Sequence, residues 1–414
     1  MDSFSNVILT VLKQARGAAQ KLAVVSGSTR RKGIMILAKM VETSFDQILE
    51  ANTLDLEISR EMAVSELTVE WLKLTPERLE ATVAVLKQLT QSADPTRKLI
   101  QATYQLEPCQ TYSQLRPLGT IALVYEAFPE LALIATGMCI NTGNSLILRG
   151  SSTASNSNQA IANIIHNALA ETNLPTDCIN SISPDGESSI EELLTQDRYL
   201  DLIIPYGRPS LVRKVTEQAT APVLRTAIGN CYLYWSATGD LELIRHMIID
   251  SHQGEPDAVN AIEKVLVHRN IKHSLLTSIF SSLQEQDFQL RGEEQLVEEF
   301  PEYLQPMKSA EWGQFYMKRV VAFKYVTTLA NAIAWINHYS SGHADCLATE
   351  SYEESRQFAQ HIDSALIYIN TSPRFCRNPN CGEGVFLGMS NQKGYRQGLI
   401  GLETFTTVKQ IVQG

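Results

Sequence analysis

Ser145-Leu146-Ile147-Leu148-Arg149-Gly150-Ser151-Ser152, followed by Ile161, Ile164, Ile165, Ala168 and Leu169, decides the fold class of this chain. The first part is a short apolar run closed by a basic residue, a glycine and serines. The second repeats at i, i+3, i+4, i+7 and i+8, which turns one face of a helix toward a core. A buried strand, a Gly/Ser turn and an amphipathic helix are the repeating unit of a parallel sheet with crossover helices. His166 lies off the apolar stripe and reads as a surface residue. Outward from here, Thr120–Tyr125, Ile179–Ile182, Leu202–Pro205 and Pro222–Leu224 predict further buried strands. A second α/β series begins near Gly229 and runs to about Asp363, with strands expected at Val265–His268, Arg319–Phe323 and Leu366–Asn370. The fold class is α/β.

Before Asp94-Pro95 the pattern is helical. Apolar residues recur at helical spacing through Ile34–Ile48 and Leu79–Leu89, and Thr75-Pro76-Glu77 gives cap, proline and acidic first turn in the preferred order. Arg30-Arg31-Lys32 after Ser28-Thr29 reads as a solvated helix start. The glycine-rich stretch Thr371–Gly414 carries little signal except Leu402–Val412.

The chain has 414 residues, 44% of them hydrophobic and 19% charged, with a formal net charge of −10. That length supports more than one core. No apolar run approaches the ~20 residues of a membrane span, and the first residues lack a basic region followed by an apolar one. The expectation is a cytoplasmic protein without membrane contact. Lys and Arg form no cluster suited to phosphodiesters, so nucleic acid is not an expected partner. Seven scattered cysteines in an acidic chain read as reduced thiols. Cys376 and Cys381 flank a loop, but no second ligand pair stands at metal spacing, and no metal is expected.

The turn after Ser145–Arg149 places a basic side chain, Gly150 and a helix N-terminus with Asn158 together, a candidate phosphate or ribose site. Pro205-Tyr206-Gly207-Arg208 is a second candidate of the same kind. Each has the plainer reading of a capped βα turn.

Specific motifs run through nearly the whole chain: Ala51-Asn52 with Asp55, Leu74-Thr-Pro-Glu-Arg78, Pro117-Leu-Gly119, Val124-Tyr-Glu-Ala127, Thr142-Gly-Asn-Ser-Leu-Ile-Leu-Arg-Gly150, Leu202-Ile-Ile-Pro205, Val259-Asn-Ala-Ile-Glu263, Val265-Leu-Val267, Tyr368-Ile-Asn370 and Gly401-Leu-Glu403 with Thr406-Thr407. In order and spacing they resemble γ-glutamyl phosphate reductase of the aldehyde dehydrogenase superfamily. The resemblance implies an aldehyde-dehydrogenase-like α/β fold with two Rossmann-like parallel-sheet domains and a small oligomerisation hairpin. It implies residues 1–227 as the nucleotide-binding-type domain with the hairpin near 104–118, residues 228–365 as the catalytic equivalent, and residues 366–414 as a segment returning to the first domain. It also implies a chemistry. A cysteine thiolate attacks L-glutamate 5-phosphate, phosphate leaves, and NADPH delivers hydride to the thioester, in proline biosynthesis. Arg149, Gly150, Asn158, Pro205 and Gly207 match its cofactor-side positions.

Several positions depart from the family pattern. Aligned through Pro256 and Asn260, the nucleophile position is Val259, which has no nucleophilic atom. Glu255 stands for an arginine, and Glu130 for the asparagine used as oxyanion donor. An ionised carboxylate offers acceptors only, so Glu130 is expected to oppose a developing negative charge. Phe128 replaces an arginine, Tyr206 an arginine, Phe386 an acidic residue, Tyr395 and Gln397 a His and an Arg, and Tyr232 a His beside Cys231, itself expected to be a buried structural thiol. These substitutions lead to the expectation of a catalytically inactive or diverged member that senses a ligand or binds a partner near glutamate and proline metabolism. The alternative is an active NADPH-dependent reductase. For assembly, a shortened last strand and a loosely alternating Leu106–Leu115, confined to an edge by Pro108, predict a monomer or weak homo-oligomer whose partner adds to Leu106–Leu115 and Thr406–Gln413.

Overall fold

The structure, a computed structural model, describes residues 2–101, 107–184, 188–253, 258–379, 384–394 and 397–414. Expectations placed on Glu255, Pro256, Cys381, Tyr395 and the first part of the hairpin lie outside the described residues. The chain divides into two compact units: residues 1–226 with 377–387 and 399–414, and residues 227–376 with 388–398.

The first unit opens with five helices: α1 (Asp2–Leu22), α2 (Gly27–Thr43), α3 (Phe45–Glu61), α4 (Glu66–Leu72) and α5 (Pro76–Gln91). The apolar spacing read as one helix through residue 48 is two, broken at Ser44, which caps the second without a side-chain bond. Arg30 is also different from its sequence reading. The cap of α2 is Ser26, whose hydroxyl accepts from Thr29 N, so Arg30 lies inside the helix. It is buried, with Nη2 2.7 Å from Asp94 Oδ2.

Strands β1 (Leu99–Gln101) and β2 (Gln110–Pro117) follow, and then β3 (Thr120–Tyr125), α6 (Leu131–Thr142), β4 (Ser145–Arg149), α7 (Ser155–Ala170), β5 (Ile179–Ser181), α8 (Ser188–Leu194), β6 (Leu202–Tyr206) and α9 (Pro209–Gln218). The last four strands form a parallel sheet in the order β5-β4-β3-β6. Residues 222–224 contribute one bridge, Ile203 to Val223, instead of the strand expected there. The turn Thr142-Gly143-Asn144 explains its sequence. Gly143 ends α6 in the left-handed region at φ 82°, and Asn144 accepts from Gly119 N at 2.8 Å while donating to the Phe405 carbonyl at 2.8 Å. One amide thus ties the start of β3 to the C-terminal segment.

The second unit holds β7 (Cys231–Trp235), β8 (Ile262–His268), β9 (Gln289–Gly292), β10 (Gln305–Pro306), β11 (Val320–Val326), β12 (Ala344–Ala348) and β13 (Leu366–Ile369). All are parallel, in the order β10-β9-β11-β8-β7-β12-β13. Strand β13 pairs with β12, so this unit extends to Cys376 and does not stop at 365. Strand β12 carries no clean apolar run in the sequence, because it includes Asp345. That carboxylate is buried but accepts from Tyr232 N at 2.8 Å, Ser340 Oγ at 2.6 Å and Ser364 Oγ.

Two short strands, β14 (Met389–Ser390) and β15 (Gly398–Leu399), precede a 3-10 turn at Leu402–Phe405 and β16 (Thr406–Gln413). All eight residues of β16 pair antiparallel with β2, from Thr406 opposite Pro117 to Gln413 opposite Gln110. Strand β1 takes the other side of β2. The hairpin strand is therefore the centre of a three-stranded sheet, not an edge, and the last strand is paired along eight residues. No helix among the described residues is long and apolar enough to cross a membrane.

Candidate active site

In the first unit, β3 has β4 on one side and β6 on the other, while the chain runs β3, β4, β5, β6. The strand order reverses between β3 and β6, and in open parallel sheets ligands bind beyond the carboxyl ends at such a point. Here those ends are Tyr125-Glu126 and Tyr206-Gly207. Glu126 accepts from Arg208 N at 3.0 Å and from Arg208 Nε at 3.1 Å, closing the gap between the strands. Gly207 has φ +148°, and a Cβ there would come within 2.7 Å of Glu126 Cβ, so only glycine fits. The Pro205 carbonyl accepts from Thr226 Oγ1 at 2.7 Å.

Arg149 and Gly150 end β4. Arg149 is buried and donates from Nη1 to Gly150 O at 2.6 Å. Asn158 accepts from Tyr125 OH at 2.8 Å and packs against Gly150 so closely that a Cβ there would meet its Nδ2 at 2.1 Å. The expected phosphate cradle at the start of α7 is filled from within the chain. Asp55 of α3 accepts from Asn156 N at 3.0 Å, Ser157 N at 2.8 Å and Ser157 Oγ at 2.7 Å. A carboxylate already neutralises that helix terminus, so an anion would have to displace it.

Phe128 and Glu130 follow β3. Phe128 is fully buried, stacked on Trp71 at 4.7 Å and edge-on to Tyr206 at 5.5 Å. Glu130 is not a bare charge, as its sequence reading held. Its Oε1 is 2.5 Å from Arg78 Nη2, and the Arg78 guanidinium also donates to the carbonyls of Trp71 and Lys73. The pair cancels most of the field expected of Glu130. Glu130 Oε2 has no hydrogen-bond partner among the described residues. Burial and the Glu130 charge push the Tyr125 hydroxyl above its ordinary range. Arg78 was visible in Leu74-Thr-Pro-Glu-Arg78, where it read only as part of a helix start.

In the second unit, Val259 is completely buried in the turn before β8. Its carbonyl accepts from Gly229 N at 2.9 Å and lies 2.9 Å from His343 Nε2. Asn260 Nδ2 donates to Pro373 O at 2.7 Å, and Ile262 N to Ser251 Oγ at 3.1 Å. Glu263 accepts from Asn230 N, Tyr316 N and Met317 N at 3.0, 2.8 and 2.7 Å. The backbone around position 259 is thus held by several hydrogen bonds although the side chain there is a valine, while the side-chain oxygens of Asn230 and Asn260 have no partner among the described residues. Cys231 is buried with its thiol pushed well up by desolvation, in accord with a structural thiol. Tyr232, also buried, donates to Trp312 O at 2.7 Å. Phe386 is half-buried, Gln397 and Cys376 are exposed, and no group of three potential metal ligands occurs among the described residues. His343 was missed, because a lone His after Ser-Ser-Gly gives no periodic signal.

Residues 5–288 match the family model of the aldehyde dehydrogenase family. The chain belongs to that family. It is 52% identical over 413 residues to gamma-glutamyl phosphate reductase 2 of Synechocystis, covering 100% of this chain and 98% of that protein. It is 36% identical over 416 residues to gamma-glutamyl phosphate reductase of Gloeobacter violaceus, again covering 100% and 98%. The crystal structure of gamma-glutamyl phosphate reductase from Thermotoga maritima superposes with a TM-score of 0.90 at 32% identity over 98% of both chains. Within the aldehyde dehydrogenase family the chain is therefore a homologue of the gamma-glutamyl phosphate reductases, with their α/β fold.

Proposed function

We propose that the protein performs the reductase step of its relatives: L-glutamate 5-phosphate is converted to L-glutamate 5-semialdehyde and phosphate, with NADPH as hydride donor. Similarity across the full length of proteins bearing that name supports this reading over the binding-protein reading drawn from single substitutions. Val259 closes the thioester route at its own position. In the proposed reaction hydride joins the acyl carbon directly, the carbon–oxygen bond to phosphate breaks, and phosphate leaves with the bonding pair. Arg149 and Gly150 at the end of β4, Pro205 and Gly207 at the end of β6, and the side chain of Asn158 in α7 remain the proposed cofactor-side contacts. The backbone N–H groups at the α7 N-terminus are left out as an anion site, because Asp55 takes them.

A second reading, a protein that binds these ligands without turning them over, is favoured by Val259 and by the Glu130–Arg78 pair at the oxyanion position. Purified protein assayed in reverse, with glutamate semialdehyde, phosphate and NADP⁺, separates the two. Turnover on the order of 1 s⁻¹ or more supports the reductase. No phosphate-dependent NADP⁺ reduction, together with calorimetric binding of the semialdehyde or the nucleotide, supports the second.

For assembly, we propose strand addition by another chain along the outer edge of β16, since β2 is paired on both sides.

A further inference from the structure

Cys231, Ser341 and His343 meet beneath the turn that carries Val259. Cys231 Sγ lies 3.4 Å from His343 Nε2, and Ser341 Oγ lies 2.9 Å from His343 Nδ1. Thiol, imidazole and hydroxyl in that order imitate a nucleophile, a base and an orienting group. Burial rules this out as a working dyad. Cys231 and His343 are both fully enclosed; desolvation pushes the thiol well up and the imidazole down to about 4, so both are neutral near pH 7.

The imidazole has a different acceptor. His343 Nε2 is 2.9 Å from the Val259 carbonyl oxygen. With its proton on Nδ1, a neutral ring would set the Nε2 lone pair against that oxygen, acceptor facing acceptor. With the proton on Nε2, the ring donates to Val259 O, and Nδ1 accepts from Ser341. The Ser341 hydroxyl has one proton to share between Nδ1 and Gly229 O, 2.7 Å away, and Gly229 N is the second donor to Val259 O at 2.9 Å. Asn391 Nδ2 in turn donates to Ser341 O at 2.7 Å. The two contacts to the turn itself, from His343 and from Gly229 N, both reach the Val259 carbonyl, so neither depends on which side chain stands at 259.

We infer that His343 is the positioning residue of the 259 turn, a neutral imidazole donating from Nε2 to the carbonyl of residue 259. Its link to chemistry rests on the reductase reading, but the hydrogen bond does not. The test uses the full chain labelled with ¹⁵N-histidine, of which there are eight. The expected spectrum assigns His343, by its loss in His343→Gln, to the neutral Nε2–H tautomer at pH 7. Amide exchange is then followed across residues 258–262 and at Gly229. His343→Leu should raise it by about tenfold, and His343→Gln, whose amide reaches the same carbonyl, should restore protection. An Nδ1–H tautomer or an imidazolium at pH 7 overturns the inference, as does wild-type exchange in His343→Leu. Should His343→Leu fail to fold, the spectrum decides alone. Absence of turnover in the reductase assay would leave all of these readouts unchanged.

Discussion

Replacing Glu130 by alanine leaves the Arg78 guanidinium buried without its carboxylate, and the side chains of the pair are only 4% and 7% exposed. Removing one partner of such a pair costs about 3–5 kcal/mol, because the remaining charge stays desolvated. Urea denaturation of Glu130→Ala should show a loss of that size, and Arg78→Met combined with Glu130→Leu should recover most of it. The same residue enters the prediction for Val259. On the alignment that places Glu130 at the oxyanion position, Val259→Cys restores a thiol but no oxyanion donor, and one such donor is worth about 3 kcal/mol of transition-state stabilisation. Phosphate-dependent NADP⁺ reduction by Val259→Cys should therefore remain at the wild-type level. Adding Glu130→Asn should raise it by about 100-fold. A large gain from Val259→Cys alone would place the oxyanion elsewhere.

Among the elements, α7 depends most on a single side chain from outside itself. Asp55 supplies its N-terminal acceptor, with Asn156 Nδ2 as a further donor at 2.9 Å. Asp55→Ala should cost about 2 kcal/mol in a denaturant titration, the loss of a cap with its donors left buried. Asp55→Asn should cost less, since one acceptor survives. This helix also shows how far the sequence could be read. Its apolar stripe announced it, and the strand before it, without ambiguity. Its N-terminal serines and asparagines looked like an open anion site, because the partner that occupies it lies about a hundred residues earlier in the chain. The strands β3, β4 and β6 were legible as uninterrupted apolar runs. Strand β12 was not, because Asp345 interrupts it and only the folded arrangement brings Tyr232, Ser340 and Ser364 to that carboxylate. The Glu130–Arg78 pair was hidden in the same way. Each residue was visible, but charge alone does not reveal which neighbour neutralises it.

On the scale of the whole molecule, buried titratable groups in the second unit give stability a pH dependence with opposing parts. Burial raises the Asp345 carboxyl from 3.8 to about 7. Its contribution is fully present below pH 3.8 and is lost as pH rises through about 7, because the unfolded chain gives up that proton first. Burial lowers His252 and His343 from 6.5 to about 4, so their contribution is present above pH 6.5 and is lost as pH falls through about 4. Asp345→Asn removes only the first part. Melting temperatures of variant and wild type, compared from pH 4 to pH 7, should shift in favour of the variant as pH rises. A constant difference would mean that Asp345 is ionised throughout. Light scattering with and without Lys409→Pro, placed mid-strand, tests the assembly proposal. Loss of a larger species in the variant supports an interface along β16, and an unchanged mass removes it.

The pairing of β16 with β2 also governs the order in which the polypeptide can mature. Thr111 waits for Val412, and Leu115 for Val408, so the ribosome must carry synthesis past residue 406 before the first unit can close. Contacts between such distant segments carry a large loop-closure cost and slow the search for the native arrangement. The second unit is different, because its seven strands are all contained between residues 231 and 369. During synthesis it has its full sheet available while β2 still lacks a partner. A nascent chain arrested before Thr406 should therefore hold a protease-resistant central body beside an amino-terminal part that chaperones still recognise.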